Sequence, residues 1–167
     1  MIKSWITKKE TKMKPMYYFA YGSNLNKDQM RFRCPQAHSL GWDYLDSYQL
    51  VFRGVADIEQ EPDTQVPVGI WRITEDCLYA LDQYEGYPNL YTRRKVKVGD
   101  YWGWIYLMNR GGYDFPAEFY YQAIADGYKD FNIRPFSYLE SALELTAEKL
   151  YRASDDFAFA VNHMISE

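Results

Sequence analysis

The chain has 167 residues and a mass of 19.8 kDa, which is the size of one domain. Two independent hydrophobic cores of half that size would need disulfides or bound metals for stability. A formal net charge of −4 and a pI near 5.3 exclude the broad basic surface that holds nucleic acid or anionic lipid. Two cysteines and two histidines are too few for a zinc cage or a disulfide framework, so we expect no metal.

The ends of the chain differ from its middle. Residues 1–15 show neither an apolar signal-peptide core nor periodicity, so we interpret them as a flexible N-terminal extension and expect a cytoplasmic protein. Residues 16–150 are predicted to form one domain, and 151–167 a C-terminal tail for which a helix stays open. Aromatic residues make up 19% of the chain, 17 of them tyrosines. Because buried tyrosine hydroxyls need partners, this composition favours a cleft or barrel with a polar interior.

Periodicity and turn signals predict an ordered series of strands and helices. The clearest is a helix over 75–84, with Thr74 as N-cap and Gly86 just past its end. Asn26 begins a capping box and so predicts a short helix over 27–33. The predicted elements are strands at 17–21, 48–52, 66–73, 91–98 and 101–108, and helices at 27–33, 75–84, 116 to about 130, and 135 to about 150. This order indicates an α+β fold and not repeated βαβ units.

The first candidate site lies where the first strand meets the first helix. Residues 21–25 read Tyr-Gly-Ser-Asn-Leu, and Gly22 permits a tight bend after the strand. Successive backbone N–H groups at such a bend can point into one concavity and bind a carboxylate or phosphate. From the residues alone, an ordinary turn capped by an asparagine is the stronger alternative.

The second candidate is Glu85, at the C-terminal end of the predicted helix 75–84. The helix dipole disfavours a negative charge there, which raises the carboxyl pKa and suits an acid–base role. An exposed glutamate at a fraying helix end is the alternative, and the residues alone favour it.

Other groups give weaker signals. The acidic run 57–63 lacks the spacing of a calcium loop, and we interpret it as a solvated hairpin tip. Cys34 and Cys77 have no histidine nearby in sequence, which indicates buried packing and not a thiol nucleophile.

Taken together, several segments resemble the γ-glutamyl cyclotransferases and their AIG2-like relatives over about residues 16–145. The segments that carry the resemblance are Tyr-Gly-Ser-Asn-Leu at 21–25, Arg-Gly-Val-Ala-Asp-Ile at 53–58, Val-Gly-Ile-Trp-Arg-Ile at 68–73, Leu-Asp-Gln-Tyr-Glu-Gly-Tyr at 81–87, and Tyr121 followed by Ile124, Gly127 and Pro135. The resemblance implies a small mixed β-barrel with flanking helices and a site at the barrel mouth.

The resemblance also implies a reaction. A γ-glutamyl compound would close on itself to give 5-oxoproline and a free amine, without cofactor or metal. Glu85 would be the general acid/base. Tyr21, Gly22, Ser23, Asn24 and Leu25 would bind the substrate, together with Tyr121; a shift of one residue would give Tyr120 instead.

The resemblance implies that the partner is a small-molecule γ-glutamyl substrate, but it does not identify the amine or amino acid that is released. γ-Glutamyl amino acids, γ-glutamylamines and a modified antibiotic precursor all stay possible as substrates, and glutathione ranks lower. The alternative function is a catalytically weak small-molecule-binding or interaction protein that retains the pocket.

Overall fold

The computed structural model describes residues 14–165, so most of the predicted extension at 1–15 lies outside the described residues. The strands are β1 (Met16–Ala20), β2 (His38–Phe52), β3 (Ala56–Ile73), β4 (Tyr91–Val98) and β5 (Tyr101–Met108). The helices are α1 (Lys27–Arg33), α2 (Glu75–Glu85), α3 (Glu118–Phe131) and α4 (Ser137–Ile165), with a single 3₁₀ turn at Ser23–Leu25. The α+β class predicted from the sequence is confirmed.

The five strands form one sheet in the order β2-β3-β1-β5-β4. Only β1 and β5 run parallel; the other neighbouring strands are antiparallel. The sheet is not closed, so the expected barrel is only an approximate description of this open five-stranded sheet.

Strand β1 lies at the centre of this sheet and carries the turn that follows it into the site. Phe19 and Ala20 are completely buried although they point to opposite faces. A strand covered on both faces needs apolar residues at every position, which explains the continuous aromatic run found there.

The hairpin β2–β3 is longer than the sequence predicted. The strands expected at 48–52 and 66–73 belong to this one hairpin. Its register shifts twice, between Ser39 and Trp42 and again at Ser47, which lies opposite the four residues 61–64 of β3. Its turn lies at 53–55, so the interpretation of 57–63 as a hairpin tip is wrong. Asp57 is only 3% exposed because it pairs with Arg53 and accepts a hydrogen bond from the amide of Met108.

The helices follow their capping signals. Asn26 accepts a hydrogen bond from the amide of Gln29 at the start of α1, and Thr74 accepts one from the amide of Cys77 at the start of α2. The last helix, α4, continues through the predicted tail as far as Ile165. No helix in the described part of the chain is long and apolar enough to cross a membrane.

Candidate active site

A cavity of about 230 Å³ opens where the end of β1, the end of α2 and the start of α3 meet. It is lined by tyrosines from several elements, three apolar residues, the turn after β1 and Glu85: Tyr18, Tyr21, Gly22, Ser23, Asn24, Val55, Ala56, Tyr84, Glu85, Leu90, Tyr91, Tyr106 and Tyr120. Among these described residues, Glu85 supplies the only carboxylate. The structure therefore brings together the two candidate sites that lie 60 residues apart in sequence.

Glu85 reaches the cavity because α2 ends immediately after it. Gly86 adopts the left-handed conformation, with φ of 62°, and donates its N–H to the carbonyl oxygens of Asp82 and Gln83. The N–H of Tyr87 also bonds to the carbonyl of Asp82. This helix-ending motif fixes the last turn and directs the Glu85 side chain into the cavity.

The turn after β1 lines the same cavity with Gly22, Ser23 and Asn24. Its own hydrogen bonds use the N–H groups of Leu25 and Asn26, which donate to the carbonyls of Gly22 and Ser23. The N–H groups of residues 22–24 are therefore the backbone donors that a bound anion or oxyanion could use. Leu25 is fully buried in the core and does not line the cavity.

Asn24 connects the turn to the carboxylate. Its Nδ2 donates to Glu85 Oε1 at 3.1 Å and to the hydroxyl of Tyr18 at 3.0 Å. The backbone carbonyl of Asn24 accepts a hydrogen bond from Trp71 Nε1 at 3.0 Å. These contacts make Asn24, only 3% exposed, a rigid link between the turn and Glu85.

Burial raises the pKa of Glu85 from its usual value near 4.5 to about 7, although the positive charge of Arg33 and the hydrogen bond from Asn24 act in the opposite direction. The helix dipole invoked from the sequence has the same sign but is not the main cause. A carboxyl group with a pKa near 7 can both accept and return a proton at neutral pH.

The tyrosine hydroxyls are held by the protein itself. Tyr21 donates to the carbonyl of Tyr106, and Tyr91 donates to the carbonyl of Ala56. Tyr120 is different, because its hydroxyl oxygen accepts from the amide of Ala56 at 3.0 Å. Burial raises the pKa of Tyr120, so its hydroxyl keeps a proton that it can donate to a ligand.

The structure corrects the choice between the two adjacent tyrosines of α3. Tyr120 lines the cavity, whereas Tyr121 packs its ring against Phe52, with ring centroids 6.1 Å apart. Successive residues of a helix point about 100° apart, so only one of the two can face the cavity.

Arg33 is a site residue that the sequence did not suggest. It is the last residue of α1 and donates to Asn24 Oδ1, Ser23 Oγ and the hydroxyl of Tyr84. The available signal was its place at the end of a helix only seven residues long, which leaves the turn at the helix start within reach of a long arginine side chain.

Metal-ligating and thiol chemistry find no support in this region. The described residues contain no group of three or more His, Cys, Asp or Glu side chains that could hold a metal ion. Cys34 and Cys77 are both buried, as predicted, and burial raises the pKa of the Cys34 thiol to about 12. A thiol with that pKa is a poor nucleophile at neutral pH.

The fold and the cavity define a small α+β protein in which a carboxyl group with a pKa of about 7, that of Glu85, lies across a cavity from the turn after β1. The profile of the family described as "Gamma-glutamyl cyclotransferase, AIG2-like" matches residues 18–127, about two thirds of the chain. The chain therefore belongs to the γ-glutamyl cyclotransferase, AIG2-like family.

Individual relatives agree with this assignment. A protein from Homo sapiens named gamma-glutamylcyclotransferase is 30% identical over 141 residues, which cover 74% of each chain. A solved structure named gamma-glutamyl cyclotransferase superposes with a TM-score of 0.70 at 27% identity, over 77% of this chain and 86% of that one. The structure of YkqA from Bacillus subtilis shares the fold, with a TM-score of 0.64 at 22% identity over 80% of this chain and 55% of its own.

Proposed function

We propose that this protein releases 5-oxoproline from a γ-glutamyl compound. The α-amine of the glutamyl group attacks its own side-chain carbonyl carbon, a new C–N bond closes the five-membered ring, and the original amide C–N bond breaks. One proton leaves the attacking amine and one joins the departing amine, so atoms balance without water. The members of this family to which the chain is similar carry the name of this activity.

The observation that carries the proposal is the position and pKa of Glu85. Its carboxylate faces the cavity, and burial raises its pKa to about 7. The ionised form takes the proton from the attacking amine, and the neutral form returns it to the leaving amine. Both proton transfers use one group, and the reaction as written requires no cofactor.

The turn at 22–24 and Tyr120 supply the complementary donors. The backbone N–H groups of the turn suit the α-carboxylate of the glutamyl group or the carbonyl oxygen that becomes negative during attack. The hydroxyl oxygen of Tyr120 accepts a hydrogen bond from the amide of Ala56. Its proton is therefore available to the carbonyl oxygen of the substrate. Holding the glutamyl chain folded in this way favours ring closure, because the amine and carbonyl carbon are kept within attack distance.

The test is direct detection of 5-oxoproline. The purified full chain is incubated separately with several γ-glutamyl dipeptides, a γ-glutamylamine and glutathione, and the products are measured by mass spectrometry. Glu85→Gln, assayed in parallel, shows whether product formation depends on this carboxyl group.

We expect equal amounts of 5-oxoproline and free amine from at least one substrate, and much less from Glu85→Gln. Saturable binding of these compounds without 5-oxoproline would instead identify a binding protein. That result would overturn the proposed reaction.

A further inference from the structure

The side chain of Arg33 joins the two parts of the candidate active site. Its Nη1 donates to Asn24 Oδ1 at 2.5 Å and to Ser23 Oγ at 3.3 Å. Its Nη2 donates to the hydroxyl of Tyr84 at 2.6 Å, and the guanidinium carbon lies 3.7 Å from the centroid of that ring. One planar group therefore ties the turn after β1 to the last turn of the helix that carries Glu85.

This contact determines which way the Asn24 amide faces. A guanidinium can only donate hydrogen bonds, so the atom of Asn24 that meets Arg33 must be the carbonyl oxygen Oδ1. The amide nitrogen then has to face the opposite side, where Glu85 Oε1 and the hydroxyl of Tyr18 accept its two protons. The reversed amide would place a donor against Arg33 and an acceptor against the carboxylate, which is unfavourable on both sides.

The orientation of Asn24 makes the two oxygens of Glu85 unequal. Oε1 already accepts a proton from Asn24, whereas no hydrogen bond within the described part of the chain reaches Oε2. A proton taken up by the carboxylate is disfavoured on the oxygen that faces an N–H donor. Oε2 is therefore the atom that can exchange a proton with a molecule in the cavity.

We propose that Arg33 is a positioning residue which, through Asn24, holds Glu85 so that Oε2 is the acid–base atom presented to the substrate. This inference rests on the proposed function. It concerns a residue that does not line the cavity and acts through another side chain.

The effect of the Arg33 charge on the pKa of Glu85 can be measured separately, because the other titratable groups around Glu85 are neutral. Tyr84 lies beside Glu85 on α2. The titratable groups that line the cavity from other parts of the fold are all tyrosines: Tyr18, Tyr21, Tyr91, Tyr106 and Tyr120. Burial raises the pKa of each of these five hydroxyls, so they stay neutral. Among the described residues, Arg33 is the charged group that lowers the pKa of Glu85.

The experiment compares three variants of the full chain. Arg33→Gln removes the charge and the planar donor pair, and Arg33→Lys keeps the charge but cannot bridge Asn24 and Tyr84 in one plane. Arg31→Gln is the matched control, because it removes a positive charge from the same helix at a side chain that is 74% exposed and, among residues 14–165, is paired only with Asp28. For each protein, the Glu85 carboxyl is titrated by NMR without ligand, and kcat and KM for 5-oxoproline release are measured from pH 5 to 9.

We expect Arg33→Gln to raise the pKa of Glu85, to move the acid limb of the kcat/KM profile upward with it, and to lower kcat by about tenfold. Arg33→Lys should leave the pKa of Glu85 close to its original value but still lower kcat, and Arg31→Gln should change neither. Loss of stability alone would lower activity without moving the pH profile, and thermal melts of all variants identify that case.

Two results would overturn the inference. One is a pKa of Glu85 that is the same in Arg33→Gln as in Arg31→Gln. If Arg33→Gln does not fold, an unchanged kcat in Arg33→Lys would overturn the inference instead. The other is an acid limb that moves equally in both glutamine variants. If the unchanged chain makes no 5-oxoproline, the proposed function fails, while the titration still tests the link from Arg33 to Glu85.

Discussion

Two half-buried glutamates of this protein have pKa values shifted in opposite directions. Glu59, on β3, lies outside the cavity and meets donors on both oxygens: Gln49, Arg53, Tyr113 and Lys149. Burial alone would raise the pKa of Glu59, but the hydrogen bonds from Gln49 and Tyr113 and the charges of Lys149 and Arg53 bring it below its usual value. Glu85 has one donor on one oxygen, and its pKa rises to about 7.

The difference shows what converts a buried carboxylate into a base. Burial penalises the charged form in both places, and more strongly at Glu85; the donors outweigh that penalty at Glu59 and do not at Glu85. Around Glu59 the donors stabilise the charge and tie β3 to the loop at 109–115 and to α4, which is a structural role. At Glu85, no donor among the described residues bonds to Oε2, so a substrate amine can bond to that oxygen.

The largest effect that could break this comparison is on turnover. Glu85→Gln keeps the shape of the side chain but cannot accept a proton, so we expect kcat to fall by about 10² to 10⁴. Glu59→Gln removes an equal charge outside the cavity and should keep kcat within about threefold. Both are measured as 5-oxoproline release at pH 7.5, with a thermal melt of each protein. A Glu85→Gln protein with more than half of the original activity would contradict the assignment.

The same pair of variants should change stability in opposite directions with pH. The folded-state pKa of Glu85 is raised, so its ionisation costs stability as pH rises from about 4.5 to about 7. Glu85→Gln should therefore be more stable than the original chain at pH 8 by about 1–2 kcal/mol, with little difference at pH 4.5.

Glu59 has the reverse sign. Its pKa is lowered, so its stabilising contribution is present above the pKa of the unfolded chain and is lost as pH falls. Glu59→Gln should be destabilised by about 1–3 kcal/mol at pH 8 and by less below pH 4. Urea denaturation at several pH values measures both; parallel pH dependences for the two variants would contradict the comparison.

Local signals predicted much of the fold. The helix at 27–33 and the hairpin at 91–98 and 101–108 have the predicted bounds, because their caps and turn lie within a few residues of the elements they define. The hairpin β2–β3 was predicted only in part. Residues 42–46 and 56–60, outside the predicted strands, pair with their partners across the hairpin, and the sequence pattern does not reveal that pairing.

Less of the candidate site than of the fold could be predicted from physical signals in the sequence. The resemblance pointed to both the turn and Glu85, but physical signals in the sequence were too local to place them in one cavity. Arg33 was missed because its role depends on contacts with Asn24 and Tyr84, and the latter lies 51 residues further along the chain. The choice between Tyr120 and Tyr121 depends on the rotation of α3 about its axis. The sequence predicts the start of a helix only to within a residue or so, so it does not determine that rotation.

A smaller effect should separate the two tyrosines of α3. Tyr120→Phe removes the hydroxyl that faces the cavity and leaves the amide of Ala56 without its acceptor, so we expect kcat/KM to fall by about tenfold. Tyr121→Phe is the matched control and should change kcat/KM by less than about twofold, because its hydroxyl is outside the cavity. Equal losses in the two variants would show that neither hydroxyl acts on the substrate.

The smallest expected effect tests the structural half of the comparison. Tyr113 donates its hydroxyl to Glu59 Oε2 at 2.8 Å, and its ring also lies under the guanidinium of Arg53. Tyr113→Phe removes the hydrogen bond but keeps the ring, so the free energy of unfolding should fall by only about 1 kcal/mol while kcat stays unchanged. The pKa of Glu59 should rise, because one of the donors that lowers it is gone, and that of Glu85 should not move. Carboxyl NMR titration resolves the two groups in one experiment. A shift at Glu85 would mean that the two glutamates are coupled, and the separation into a structural and an acid–base carboxylate would then be wrong.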